Sequence, residues 1–197
     1  MKYFLTLLGF SLFFSSSAFA LGPFSLGVKG GVSLTDAFSD HTDTSFGTTQ
    51  RTYSDARDYI VGPMVELRLP FGLGIEADGL YRPLSFASQL LSPAGASSSE
   101  RIASWEFPIL AKYRFGFPLV HPYIEAGPSF RALASRGNYL SGKGITAGLG
   151  IEANALLLRI APEFRYTHWG NDAPAPRGVF YSPSNRNQVE FLVGISF

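Results

Sequence analysis

Few residues in this 197-residue chain could perform chemistry. The histidines are His41, His121 and His168, and the absence of cysteine excludes a disulfide scaffold and a cysteine-ligated metal site. Catalysis is most worth considering at His168, because a hydrolase needs a nucleophile within hydrogen-bond reach of its base. The position two residues later is Gly170, and no serine stands there. We therefore expect no catalytic residue in this motif.

Acidic residues surround the first histidine within one polar segment. They are Asp36, Asp40 and Asp43, close to His41 in the chain. Carboxylate oxygens at this spacing could hold a cation. The favoured interpretation is a solvated acidic loop, and we expect neither a metal ion nor a cofactor.

The charged residues are sparse and nearly balanced. They make up 16% of the chain, with 16 basic and 15 acidic residues, and a nucleic-acid binder would carry a basic surplus. We therefore expect no nucleic-acid partner. Sixteen of the charges share one face of alternating segments: Lys29, Glu66, Arg68, Glu76, Asp78, Arg82, Glu106, Lys112, Arg114, Glu125, Arg131, Glu152, Arg159, Glu163, Arg165 and Glu190.

These charges stand in segments of period-two hydrophobicity, which is the pattern of β-strands. The segments cover eight ranges: 24–34, 59–69, 73–82, 103–115, 124–131, 145–152, 156–166 and 188–197. Glycine or proline interrupts almost every window in which a helical period could begin. The sequence predicts an all-β fold of eight strands.

The connections between these strands alternate in length. Long polar stretches cover 35–57, 87–100, 134–143 and 169–187, whereas short turns lie at 70–72, at 116–120 and near Asn154. Four long loops and three short turns are typical of an antiparallel up-and-down outer-membrane barrel, with the short turns in the periplasm.

The two faces of the strands distinguish a membrane barrel from a soluble barrel. A soluble barrel of the lipocalin type would point its apolar face inward. Here glycines share the charged face, which suits a narrow interior. Aromatic residues lie near both ends of the apolar face, as expected for a lipid-facing band. The sequence predicts that the charged face lies inside, and that His168 lies outside at the depth of the lipid headgroups.

A charged interior of this width predicts a plug. Eight strands enclose a space that side chains fill, and one unmatched buried charge costs about 3–5 kcal/mol. Nearly all sixteen charges should therefore pair. Four arginines are expected at the centres of this network: Arg68, Arg114, Arg159 and Arg165.

Prolines occur inside four of the predicted strands, at Pro63, Pro108, Pro128 and Pro162. Each proline removes one donor from the strand ladder. We expect bulges or local bends at these positions.

The start of the chain has the form of a signal peptide. A short apolar run follows Lys2, and the sequence Ala18-Phe19-Ala20 has the small-x-small form that a signal peptidase cleaves. The sequence predicts a signal peptide over 1–20 and a single barrel domain over 21–197. Export without cysteine fits the periplasm or outer membrane of a bacterium, and secretion is the alternative.

Several segments together resemble the outer-membrane β-barrel domain family, also labelled porin-like. They are residues 105–115, 122–130, 162–166 and 187–197. The resemblance implies a location in the outer membrane of a Gram-negative-type bacterium. We expect a monomer there, in contact with outer-membrane lipid and lipopolysaccharide. It also implies that the terminal Phe197 is the signal read by the barrel assembly machinery.

Three functions remain open at this point. The leading hypothesis is a non-enzymatic barrel with a structural or surface-interaction role through its extracellular loops. A narrow outer-membrane channel is the alternative. An outer-membrane lipid-modifying enzyme is disfavoured, because such barrels pair a histidine with a serine at the level of His168, where Gly170 stands instead.

Overall fold

The structure is a computed structural model. It describes residues 23–35, 41–45, 48–54, 59–91, 97–117, 120–133, 141–155, 158–171 and 185–197. The expected signal peptide and its cleavage residues, Ala18 and Ala20, lie outside the described residues.

The described chain is almost entirely β-strand. The strands are β1 (Phe24–Ser33), β2 (His41–Ser45), β3 (Thr48–Ser54), β4 (Tyr59–Arg68), β5 (Leu73–Asp78), β6 (Leu80–Leu91), β7 (Ser97–Arg114), β8 (Val120–Leu133), β9 (Lys143–Ala155), β10 (Leu158–Trp169) and β11 (Asn187–Ser196). A one-turn 3₁₀ segment, Pro70–Gly72, joins β4 to β5. Among the described residues, no helix is long and apolar enough to cross a bilayer.

The sheet closes on itself, because β1 pairs with both β4 and β11. Met64 pairs with Asp78 and Val61 pairs with Tyr81, which is one continuous register, so β5 and β6 form a single barrel strand interrupted at Gly79. The barrel therefore has eight antiparallel strands, and the predicted fold class and strand count are confirmed.

Two predicted loops contain more strand than the sequence indicated. The β2–β3 hairpin lies within the first long stretch and extends the sheet by pairing with β6. Strands β6 and β7 likewise continue into the Ser-rich stretch at 87–100. The hairpin sequence is polar and the 87–100 stretch is rich in serine, so the regular alternation of apolar residues on which the strand prediction depends is missing there.

The prolines produce no bulges, so that part of the expectation is wrong, and local bends stay a prediction. Around Pro63, Pro108, Pro128 and Pro162, the residue pairs on both sides keep one register. A proline removes its own donor and keeps its carbonyl acceptor. The amide of Gly79 donates to the carbonyl of Pro63 at 3.0 Å, so the ladder continues there.

The two faces of the barrel differ sharply in exposure. Val28 on the outer face is 57% exposed, whereas Glu76 on the inner face is 0% exposed. Outer aromatic rings form contacts near the long-loop end, where Tyr81 lies 6.2 Å from Tyr59 and 5.5 Å from Trp105. Most apolar residues of the strands therefore face out, whereas the charged residues face the enclosed interior together with a small apolar cluster of Ile60, Leu80 and Leu192.

Candidate functional site in the barrel interior

All sixteen alternating charges lie on the inner face, where their contacts divide them into three clusters. The central cluster holds Lys29, Glu76, Asp78, Lys112, Glu125, Glu163 and Arg165. The long-loop cluster holds Arg82, Glu106, Arg131 and Glu190. The short-turn cluster holds Glu66, Arg68, Arg114, Glu152 and Arg159, and it lies near the short turns.

Arg165 is the centre of the central cluster. Its Nη2 lies 2.7 Å from Glu76, its Nη1 lies 2.6 Å from Asp78, and its Nε lies 2.7 Å from Glu125 and 2.9 Å from Glu163. The side chain is buried. A guanidinium can satisfy several carboxylates at once because it presents five donors in a plane.

Two lysines complete the central cluster. Lys29 contacts Glu76 and lies 2.9 Å from Glu163. Lys112 contacts Glu76 from the other side, and its Nζ lies 4.3 Å from the centre of the Tyr123 ring. The Tyr123 hydroxyl donates to Glu163 at 2.6 Å. Five strands are thereby joined across the interior by hydrogen bonds to charged groups.

Three carboxylates of this cluster could ligate a cation if they stood alone. Oxygens of Glu76, Glu125 and Glu163 lie within 4.8 Å of one another. Each of them also contacts Arg165, and the lysines add two further positive charges. The arrangement is that of an ion-pair centre, since an added cation would meet three fixed cations.

The long-loop cluster is organised by an amide that the sequence analysis did not single out. The Oε1 of Gln188 accepts hydrogen bonds from Arg82 and Arg131 at 2.8 Å and from the indole of Trp169 at 2.9 Å. The guanidinium of Arg131 also lies 3.8 Å from the centre of the Trp169 ring. Glu190 binds Arg82 at 2.7 Å.

The sequence predicts that Trp169 begins a long loop, whereas in the structure it ends β10 and is 1% exposed inside the barrel. Counting by two from Arg165 through Thr167 would have placed it on the inner face. The same count from Glu190 finds Gln188, and the count from Glu125 finds Tyr123.

The short-turn cluster has more cations than anions. Glu152 forms ion pairs with Arg68 at 3.0 Å and with Arg114 at 2.9 Å. Glu66 contacts Arg114 and lies 3.7 Å from Arg68. Within the described side chains Arg159 forms no ion pair, and its hydrogen bond goes to Ser25 at 2.7 Å. The expectation that Arg159 lies at the centre of the ion-pair network is therefore wrong.

No known family matches the chain, and no curated protein matches it. Solved structures do match. The crystal structure of Neisserial surface protein A (NspA) has a TM-score of 0.54 at 12% identity, covering 89% of this chain and 96% of that chain. The outer membrane protein OprG from Pseudomonas aeruginosa has a TM-score of 0.50 at 13% identity, covering 89% and 94%.

The fold is that of a small outer-membrane barrel. At these identities the likeness concerns the fold alone. It is consistent with the resemblance seen in the sequence, and it covers nearly the whole length of both solved barrels.

Gly150 leaves space for the interior side chain of Tyr123. A Cβ placed on Gly150 would lie 2.5 Å from the ring and hydroxyl of Tyr123. Glycine at this position on β9 therefore lets the Tyr123 ring pack against the backbone of the neighbouring strand. This packing brings the Tyr123 hydroxyl to Glu163.

The histidines do not form a catalytic arrangement in the described part of the barrel. His168 lies on the exposed outer face, where its Nδ1 is 2.8 Å from Asn187 and its Nε2 is 3.2 Å from Arg186. His121 points inward as the cross-strand partner of Glu152. Neither ring hydrogen-bonds to a hydroxyl group of a described side chain.

The possible cation site around the first histidine cannot be placed. Asp36 and Asp40 lie outside the described residues, and only the backbone of His41 and Asp43 is described, in β2.

Proposed function

We propose that this protein is an integral outer-membrane barrel that is closed to solutes, has no enzymatic activity, and acts at the cell surface through its long loops. The interior ion-pair network is the observation that supports this function best. Eight strands leave an interior that side chains can fill, and here the filling side chains bind one another across it.

The membrane location is supported by the outer face. Large apolar side chains stand 39–68% exposed on consecutive strands, including Ile145 at 68% and Leu149 at 61%. Soluble monomers rarely expose contiguous apolar patches larger than a few hundred Å². A belt of this kind needs a lipid environment. A closed barrel also satisfies its backbone hydrogen bonds without an edge, as membrane strands must.

The plugged interior is supported by Arg165 and the four carboxylates around it. Moving a permeating ion past this point would require breaking several hydrogen bonds between buried charged groups. Each such bond contributes about 1.5–3 kcal/mol. The long-loop cluster, with Trp169 packed on Arg131, adds a second obstruction nearer to the long loops.

The surface role is supported by how the sheet continues beyond the barrel. Strand β3 pairs with β6, and β2 pairs with β3, so the first long connection carries an ordered ladder. Such a projecting hairpin provides backbone and polar side chains for recognition at the cell surface.

Conductance of the purified protein in planar bilayers tests closure directly. We expect silence or rare small flickers, because the central cluster fills the interior. Stable porin-sized steps from the unmodified protein would contradict the plugged interior.

Two variants at one position separate the network from barrel width. Glu163→Ala removes a partner of Lys29, Arg165 and Tyr123 and opens space, so we expect it to give conductance steps. Glu163→Gln keeps the volume and serves as the matched control, with little or no conductance. Silence from both variants would mean that width alone closes the barrel.

A deletion strain distinguishes the three functional classes. Cells lacking the protein should change in adhesion to surfaces, with unchanged uptake of small solutes and unchanged lipid A by mass spectrometry. Reduced uptake would assign a channel instead, and altered lipid A would assign an enzyme.

A further inference from the structure

The short-turn cluster is the part of the interior in which cations outnumber carboxylates. Among the described side chains there, Arg68, Arg114 and Arg159 have two carboxylates to share, Glu66 and Glu152. Both carboxylates are already engaged by the first two arginines, so the third guanidinium has no anion of its own among the described side chains.

Arg159 differs in this respect from every other interior cation of the described side chains. The other seven each lie within 4 Å of at least one carboxylate. A buried or half-buried cation without a partner is costly. Arg159 lies at the short-turn end of the barrel, which is called the short-turn mouth below. Because the other interior cations are paired, this end is suited to receive an anion from outside.

Three enclosed side-chain nitrogen atoms without a hydrogen-bond partner lie at this end of the barrel. The Nε atoms of Arg68 and Arg159 are enclosed and have no hydrogen-bond partner, and the same is true of Nδ1 of His121. His121 is the cross-strand partner of Glu152 on the inner face, so it belongs to this mouth.

Two polar residues that can hydrogen-bond an oxyanion lie beside Arg159. Its cross-strand partners are Asn154 on β9 and Ser196 on β11. Its Nη2 donates to Ser25, whose own hydroxyl proton is donated to the terminal oxygen of Phe197 at 3.1 Å. Arg159 is half-buried and Asn154 is exposed, so the group is reachable from the end of the barrel that carries the short turns.

We propose that Arg159, with Arg68 and the polar residues beside it, forms a binding site for a phosphate-type oxyanion at the short-turn mouth of the barrel. A guanidinium fork matches two oxygens of a tetrahedral phosphate. The anion is either free phosphate or the phosphate of a lipid headgroup reaching over the rim. Assigning this mouth to the periplasm rests on the proposed function, whereas anion binding does not.

The test is a titration of the folded protein in non-ionic detergent with inorganic phosphate, at constant ionic strength set by sodium chloride. Arginine Nε–H signals in ¹⁵N NMR spectra are the readout. We expect saturable shifts of the Arg159 and Arg68 signals. A second titration with dihexanoyl phosphatidylglycerol separates the sources: response to phosphate assigns the free anion, and response only to the lipid assigns a headgroup.

Three variants determine where the anion binds. Arg159→Gln should weaken binding about tenfold or more, since hydrogen bonds to a charged group are lost. Asn154→Asp places a carboxylate beside Arg159 and should also weaken binding, while keeping the guanidinium. Arg186→Gln, on the exposed outer face at the other end, should bind as the unmodified protein does.

The mobility difference between unheated and boiled samples shows whether each variant is folded. Saturable binding that survives both Arg159→Gln and Asn154→Asp in folded protein would overturn the proposal, as would the absence of any response to either titrant. A change in conductance bears on the plug and leaves this result unaffected.

Discussion

At the scale of the residue, the interior shows how differently two arginines on one strand can be placed. Arg165 and Arg159 both lie on β10 and both point inward. Arg165 meets four carboxylates, whereas Arg159 meets a serine hydroxyl. The difference arises from height along the barrel, since the acids are concentrated at the level of Arg165.

Arg165→Met should lower the free energy of unfolding by about 3–5 kcal/mol, because it leaves buried carboxylates without their shared partner. The measurement is urea unfolding of protein refolded into lipid vesicles, followed by tryptophan fluorescence. Arg186→Met at an exposed position is the matched control, with an effect within about 0.5 kcal/mol. Equal effects of the two changes would contradict the importance of the central cluster.

Gly150→Ala should destabilise the barrel by about 1–3 kcal/mol, because its Cβ would overlap the Tyr123 ring. The same urea titration measures it. The change should cost less in a Tyr123→Leu background, where the overlapping ring is gone, and an identical cost in both backgrounds would show that the ring is not the obstacle.

At the scale of the element, each strand serves two environments through its alternation. Val65 faces outward at 39% exposure, and its chain neighbour Glu66 faces inward at 1%. A one-residue slip would put each of these side chains in the wrong environment. This explains why the register stays constant even where prolines remove hydrogen bonds.

Val65→Arg should cost up to about 2–4 kcal/mol in lipid vesicles, the range for a charge near the bilayer midplane. Val120→Arg, at the short-turn end of β8, should cost about 0–1 kcal/mol, since the penalty falls toward the interface. Folding free energies in vesicles provide the comparison. If neither change mattered, the outer face would not be in lipid.

Deletion of Phe197 should slow assembly in cells while leaving refolding in detergent largely intact, as the family resemblance implies. The structure adds a control. Phe197 exchanges two backbone hydrogen bonds with Leu26, at 3.3 and 3.0 Å, and Phe197→Ala retains them. Slow assembly of both variants in pulse-chase experiments would assign the effect to the Phe197 side chain. Normal assembly of both variants would show that Phe197 is not an assembly signal.

At the scale of the whole molecule, closure is the property on which the others depend. The pairing of β1 with both β4 and β11 leaves the barrel strands without a free edge, so unfolding must break many hydrogen bonds together. Closure also holds charges from distant parts of the chain within hydrogen-bond reach of one another.

The intact protein should migrate differently on a gel before and after boiling, because the closed barrel resists detergent until it is heated. Since the chain contains no cysteine, a reducing agent should not change this result. Identical migration of both samples, or recovery of the protein in the soluble periplasm, would contradict a membrane barrel.

The sequence by itself determined the eight barrel strands, the turn at Pro70–Gly72 and the face on which each charge stands. These features could be predicted because alternation is local: a residue and its second neighbour share a face whatever the rest of the chain does. The same rule extended by one step would have placed Trp169 inside.

The tertiary structure alone decided which charges meet, that Arg159 is left without a carboxylate, and that a polar hairpin extends the sheet. Contacts such as Arg165 with Asp78 join residues 87 positions apart. The distance between two such residues depends on strand tilt, stagger and closure of the barrel. A pattern of period two contains no information on these three properties. The polar β2–β3 hairpin could not be predicted for a related reason, because a strand without an apolar face shows no hydrophobic alternation.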